Sequence, residues 1–157
     1  MSRLLVWVTV LLVAGTISGC AGIDNVPGQV PGYAEAILKV LEQDTRLGTV
    51  RNNAPRNAPI AEAVRDYVTG LDALDLNDCP PDFQRALRRH RDAWQASIAF
   101  FEQHEELRGE LHEVWDDIRA RGDEARQNLE QLEADILETW AEVETARDAH
   151  IGGQPPG

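Results

Sequence analysis

The stretch from Phe83 to Val143 constrains the fold most, because its 61 residues contain no proline and share one heptad register. Most residues at the two seam positions are apolar or small, and their spacing alternates between 4 and 3. One seam carries Leu87, Trp94, Phe101, Arg108, Trp115, Gly122, Leu129, Ile136 and Val143. The other seam carries Phe83, His90, Ser97, His104, Leu111, Ile118, Ala125, Leu132 and Thr139. This pattern predicts helices that bury one stripe against a partner.

Two features predict that this stretch folds back on itself as an antiparallel hairpin. Arginines precede Gly122 and acids follow it, which is typical of one helix ending where the next begins. Arginines also cluster over residues 85–91 and acids over residues 133–144, and a hairpin brings these opposite charges together. Residues 105–109 are a second weak point of the stretch, but their acids lie at the wrong end for a helix stop, so we place the turn of the hairpin at Gly122. One unbroken helix of roughly 90 Å remains the alternative, because the register survives across Gly122.

Two shorter helices are predicted before this stretch. Residues 33–47 place apolar side chains on one face and are followed by Gly48, and residues 60–74 repeat apolar residues at spacings of 4 and 3. Residues 49–59 then form a loop, and residues 75–81 a turn that ends in two prolines. The predicted fold is therefore all-α, a small antiparallel helical bundle built on a long helical hairpin with heptad packing.

The chain is acidic, with 15 Lys and Arg against 27 Asp and Glu and a formal net charge of −12. Such a surface disfavours nucleic acid and adsorption to anionic lipid, since both need cationic partners. Three arginines around the first loop, Arg46, Arg51 and Arg56, stand out against this balance. We interpret that loop as a solvated linker in preference to a docking patch.

The N-terminus carries an export signal. Arg3 precedes an apolar run over residues 4–17, which is too short for a comfortable membrane span of about 20 residues and suits the core of a signal peptide. The run ends in Ile17, two small residues and Cys20. This ending resembles the lipobox of bacterial lipoproteins. An uncleaved membrane anchor with an incidental cysteine is the alternative.

The lipobox resemblance implies cleavage between Gly19 and Cys20 and covalent lipid on the Cys20 sulfur, with no other cofactor. The signal peptide would then be 1–19, and the mature chain would have 157 − 19 = 138 residues. We expect a lipidated cysteine and flexible tether over 20–32, an all-helical domain over 33–151 and a disordered tail over 152–157. The same resemblance implies that the chain is anchored to a membrane on its extracytoplasmic side. The residue after Cys20 is Ala21 and not Asp, which favours the outer membrane where the host has one.

The sequence offers little for catalysis or for a metal site. It has no glycine loop for phosphate and no G-x-S-x-G motif, so we expect no enzymatic activity. His90 and His104 would lie roughly 21 Å apart on one helix. His112 and Asp116 have a chelating i,i+4 spacing, but a zinc site needs three or four ligands. We therefore predict no metal site.

Large side chains on the heptad stripe form the candidate interaction or core residues. Trp94, Trp115 and Trp140 lie on or beside the stripe, and we favour bulky core over a ligand cage. His90 is predicted to be partly buried and hydrogen-bonded across the seam. Cys79, before two prolines, is predicted to be a buried thiol, with an intermolecular disulfide as the alternative.

The segments around Cys79, His90, Trp94 and residues 139–144 are similar to uncharacterised helical proteins of bacteria, a resemblance that implies no activity. The sequence therefore predicts a membrane-anchored, non-enzymatic helical binding or accessory module with an envelope protein as its partner. One alternative is an elongated coiled-coil homo-oligomer that acts as a structural spacer in the envelope. A weaker alternative is metal or small-ligand binding in the bundle through its histidines.

Overall fold

The computed structural model describes residues 32–152, which form five α-helices and no strand. The helices are α1 (Tyr33–Asn52), α2 (Ile60–Asp72), α3 (Pro81–Glu102), α4 (Leu111–Arg119) and α5 (Asp123–Ile151). The predicted all-α class is therefore confirmed. The signal peptide, the lipobox and nearly all of the tether lie outside the described residues, and so does the tail after Gly152.

Helices α3 and α5 pack side by side in opposite directions. Three side-chain contacts join them, and the residue number on α5 falls as that on α3 rises. The contacts are Asp82–His150 at 2.9 Å, Arg89–Glu142 at 2.7 Å and His90–Thr139 at 3.1 Å. The predicted antiparallel arrangement of the long stretch is confirmed, and one unbroken helix over residues 83–143 is excluded.

The long stretch is nevertheless divided into three helices and not two. The predicted break at Gly122 is confirmed, but a second break includes residues 105–109, so the prediction of a single turn is wrong. The reason is tertiary: buried Leu107 accepts a hydrogen bond at 3.2 Å from the backbone N–H of Ile60, at the start of α2. Gly109 then takes a φ of 104°, which a helix cannot contain.

Helix α1 is longer than the sequence predicted. It passes through Gly48 and ends at Asn52, so the prediction that Gly48 ends it is wrong. Asn53 closes the helix instead, since its backbone N–H and its side-chain Nδ2 both donate to the Thr49 carbonyl, at 3.1 and 2.7 Å. The extra turn brings Arg51 onto the helix.

Two groups of buried side chains hold the bundle together. The larger joins α2, α3, α4 and α5 and includes Val64, Trp94, Phe101, Ile118 and Leu129. The smaller joins the start of α1 to α3 and α5 and includes Ile37, Val40, Phe83, Leu87 and Val143. Within residues 32–152, no helix is both long enough and apolar enough to cross a membrane.

Candidate functional site

A cavity of about 570 Å³ opens where the two buried groups meet, and all five helices contribute to its wall. This volume falls within the range of pockets that hold small molecules. The side chains with polar or aromatic groups in the wall are Asp44, Thr45, Thr49, Arg51, Asn52, Tyr67, His90, Trp94, His112, Trp115 and Trp140.

The guanidinium of Arg51 lies over two aromatic rings of this wall. Its Cζ is 4.1 Å from the ring centre of Tyr67 and 3.8 Å from that of Trp94. Its Nε and Nη2 donate to Asn52 Oδ1 at 3.1 and 3.0 Å, whereas its buried Nη1 has no partner among residues 32–152. Burial lowers the pKa of Arg51, because the charged form loses water. The nearby Asp44 carboxylate acts in the opposite direction and favours the charged guanidinium. The cation is therefore held by aromatic faces, an amide and the charge of Asp44, with Nη1 left without a partner in the described part of the chain.

Asp44 and Tyr67 form a buried pair beside this guanidinium. The Tyr67 hydroxyl donates to Asp44 Oδ1 at 2.6 Å, and the two residues are only 7% and 3% exposed. Burial raises the pKa of both groups, which for Tyr67 keeps the phenol protonated at neutral pH. The bond fixes the Tyr67 ring on which Arg51 lies.

A chain of hydrogen bonds fixes His90, one turn before Trp94 on α3. Trp94 Nε1 donates to His90 Nε2 at 3.1 Å, so the imidazole accepts there and carries its proton on Nδ1. His90 Nδ1 is 3.1 Å from Thr139 Oγ1, which is in turn 2.9 Å from the Asp135 carbonyl. Burial, followed by the charge of Arg51, lowers the pKa of His90 to about 4. His90 is therefore neutral, with both ring nitrogens in use.

The remaining tryptophans, Trp115 and Trp140, also border the cavity, and both are half-buried. Trp140 lies with its ring centre 5.1 Å from that of His90. Trp115, on α4, has a buried Nε1 without a partner among the described residues. Leu137 borders the same cavity and is 63% exposed. This part of the wall therefore adds mainly apolar surface to the cavity.

The other histidines and Cys79 do not converge on a common site. His112 is exposed at the rim and faces Glu110 at 3.3 Å, and His104 lies 3.3 Å from an Arg121 nitrogen. Over the described part of the chain, no three His, Cys, Asp or Glu side chains converge as metal ligands. Cys79 is 3% exposed in the smaller core group, away from the cavity.

The sequence pointed to one half of this site and missed the other. The heptad stripe identified His90 and the tryptophans, which the structure brings together around the cavity. It missed Asp44 and Tyr67, and it placed Arg51 in a solvated loop. A signal was present, since Asp44, Gly48 and Arg51 have the i, i+4, i+7 spacing of one helix face. Reading Gly48 as a helix end concealed it.

Compared with protein-family models, with curated proteins and with solved structures, the chain gives no match. The geometry of the cavity and the N-terminal sequence are therefore the two features of the chain that bear on its function.

Proposed function

We propose that this chain is a non-enzymatic binding module, anchored by lipid on Cys20 to the extracytoplasmic side of a bacterial membrane. The observation that carries the binding role is the cavity of about 570 Å³ among the five helices. The lipobox sequence, which precedes the described residues, supports the anchor and the location.

The state of the polar groups in the cavity favours binding over catalysis. A general base needs a free lone pair within reach of a substrate proton. The Nε2 lone pair of His90 is taken by Trp94, and an Asp44 oxygen already accepts the Tyr67 hydroxyl. These groups hold the cavity wall in shape, which is what a preformed binding site needs.

The anchor is tested by changing the lipidated cysteine in cells fed with labelled palmitate. Cys20→Ser should abolish incorporation of label, and the unlipidated chain should keep its signal peptide. Cys79→Ser is the matched control and should be labelled like the wild type. Continued labelling of Cys20→Ser would contradict the lipobox interpretation.

The elongated spacer is the second candidate function, and the folding back of α3 and α5 disfavours it. A spacer needs the heptad register to run end to end in an oligomer. Light scattering combined with small-angle X-ray scattering on residues 24–157 separates the two. A compact particle would support the binding module, whereas a rod-shaped dimer or trimer would favour the spacer. As a binding module the chain would act with an envelope protein partner.

A further inference from the structure

Gly48 lies within α1 and borders the cavity. Glycine is less favourable inside a helix than any residue except proline, because it gives up the most backbone freedom on folding. A Cβ at Gly48 would make only ordinary contacts, at 3.6 Å to Arg51 Nη2 and 4.0 Å to Tyr67 Cε2. By contrast, a Cβ at Gly70 in α2 would lie 2.5 Å from the Leu47 side chain. Close packing therefore requires glycine at position 70 but not at position 48, where the missing side chain leaves room in the cavity.

The hydrogen-bond donors of the cavity wall are mostly in use within the wall itself. Trp94 Nε1 and the Tyr67 hydroxyl each donate to a side chain that also borders the cavity. The hydroxyls of Thr45 and Thr49 donate to backbone carbonyls one turn earlier in α1, both at 2.8 Å. A polar ligand would have to break these bonds before it gained new ones, so it would gain little from them.

The charged groups of the wall do not call for a charged ligand either. Arg51 and Asp44 carry opposite charges, and each favours the charged form of the other. His90 is neutral, with both ring nitrogens bonded. Arg51 Nη1 and Trp115 Nε1 lack partners within residues 32–152, but both atoms are closed off from the cavity because they have essentially no accessible surface. The wall therefore presents no uncompensated charge from these groups.

The surface that the cavity does offer is mainly apolar. Trp115 and Trp140 border it and are half-buried, and Leu137 borders it while 63% of that residue stays exposed. Covering apolar surface of this kind removes it from water, which is the main favourable contribution when an apolar molecule binds. Pockets that hold small molecules are typically lined in this way, with few polar groups.

We propose that the cavity binds a small neutral molecule with an aromatic ring body, which packs against Trp115, Trp140 and Leu137. The ligand also occupies the space that Gly48 leaves open. This inference rests on the binding role proposed above and names its ligand class. A charged ligand fits less well, because its charge would lose water without gaining a partner in the wall. A ring suits the two indoles, since aromatic pairs gain stabilisation beyond the area that they bury.

The test is nuclear magnetic resonance of methyl groups in the full chain, held in phosphatidylcholine nanodiscs at neutral pH and titrated with 2-naphthamide. Two charged probes keep the same ring body, the anion 2-naphthoate and the cation 2-naphthylmethylamine, and uptake of each probe by empty nanodiscs is subtracted. We expect the methyl resonances of Ile136 and Leu137, which border the cavity, to shift and saturate with 2-naphthamide. Both charged probes should bind about tenfold more weakly. Leu38, which is 54% exposed and outside the cavity, should not respond.

Two variants and a control place the binding in this cavity. Gly48→Leu fills the space beside Tyr67 and should weaken 2-naphthamide binding by about tenfold or more. Its unfolding temperature should be unchanged or raised, because leucine favours a helix. Ala134→Leu adds the same side chain at an exposed position of α5 that does not border the cavity, and it should bind like the wild type. Leu137→Ala removes apolar contact at an exposed site and should weaken binding several-fold, as measured at Ile136.

Three results would overturn the inference. They are the absence of a saturable shift at Ile136 and Leu137 with 2-naphthamide, tighter binding of either charged probe than of the neutral one, and unchanged affinity in both Gly48→Leu and Leu137→Ala. Binding of a charged probe alone would leave the proposed binding module standing while removing the neutral ligand. A rod-shaped oligomer in X-ray scattering would instead remove the module itself, so the two failures are distinguishable.

Discussion

His90 is a neutral histidine because of the direction of its hydrogen bonds. The Trp94 indole can only donate, so it determines which imidazole nitrogen accepts. Protonation would put a hydrogen on Nε2, where it would point at the indole N–H, in a site that already feels the positive charge of Arg51. The sequence predicted that His90 would be hydrogen-bonded across the seam, and Thr139 is the partner found.

Acid should therefore destabilise the bundle through His90. Its pKa is about 4 in the folded chain against 6.5 for the free side chain, so the folded state binds fewer protons between these values. The stabilisation is complete above pH 6.5 and is lost as the pH falls towards 4, by roughly 3 kcal/mol in all. Urea unfolding at a series of pH values between 4 and 6.5 measures this loss of stability.

The control for this prediction is His90→Gln, which keeps a polar side chain without the titration. Burial raises the pKa of Asp44, so the contribution of Asp44 to the free energy of unfolding increases as the pH falls. This contribution is the same in both proteins and cancels in the comparison. The free energy of unfolding of His90→Gln should fall less steeply with acid than that of the wild type. Parallel pH profiles for the two proteins would contradict a neutral, buried His90.

Trp94 should be the tryptophan that matters most for stability. It is 3% exposed, packs edge-on against Tyr67 with ring centres 5.5 Å apart, and supports the Arg51 guanidinium. Trp94→Ala should lower the free energy of unfolding by about 3–5 kcal/mol. Leu137→Ala, at a site 63% exposed, is the control and should change it by less than about 0.5 kcal/mol. A loss below about 1 kcal/mol for Trp94→Ala would place that side chain outside the core.

At the scale of elements, two glycines separate the three helices of the long stretch, and they do so for different reasons. Gly109 and Gly122 both have positive φ, at 104° and 132°. A Cβ at Gly122 would meet nothing within 4 Å, whereas one at Gly109 would lie 2.8 Å from Glu113 Oε2. The Glu113 carboxylate pairs with Arg56 at 2.5 Å, and this pair would have to shift to accommodate the Cβ.

This contrast predicts unequal effects of the same substitution. Gly122→Ala should lower the free energy of unfolding by about 1–2 kcal/mol, through backbone strain alone. Gly109→Ala should lower it further, by a few tenths of a kcal/mol up to about 1 kcal/mol, because the exposed Arg56–Glu113 ion pair must shift in addition to the strain. Chemical unfolding of the two variants measures the difference between their free energies of unfolding. Equal losses would show that the Arg56–Glu113 contact does not constrain the turn.

The sequence predicted the elements well where the signal was local. Prolines before α3 and the charge reversal around Gly122 are short-range features, and both boundaries were found. The turn after α3 was missed because a hydrogen bond from Ile60 and the burial of Leu107 stabilise it, and both partners are distant in sequence. Gly48 was misread for a related reason: its helix continues because Arg51 packs on rings of α2 and α3.

At the scale of the whole molecule, the heptad pattern and the charge distribution predicted the antiparallel bundle. Arg89 on α3 does pair with Glu142 on α5, as the clustering of charges indicated. The cavity could not be predicted in the same way, because its wall combines side chains from all five helices. Only the folded chain places Arg51 over the Trp94 ring and in the same cavity wall as Trp115.

The most direct test of the account is light scattering combined with small-angle X-ray scattering on residues 24–157, which measures whether the helices fold back on one another. We expect a compact monomer whose longest dimension is well short of the roughly 90 Å of one unbroken helix over the long stretch. A rod-shaped dimer or trimer would contradict the antiparallel bundle and the binding module proposed from it.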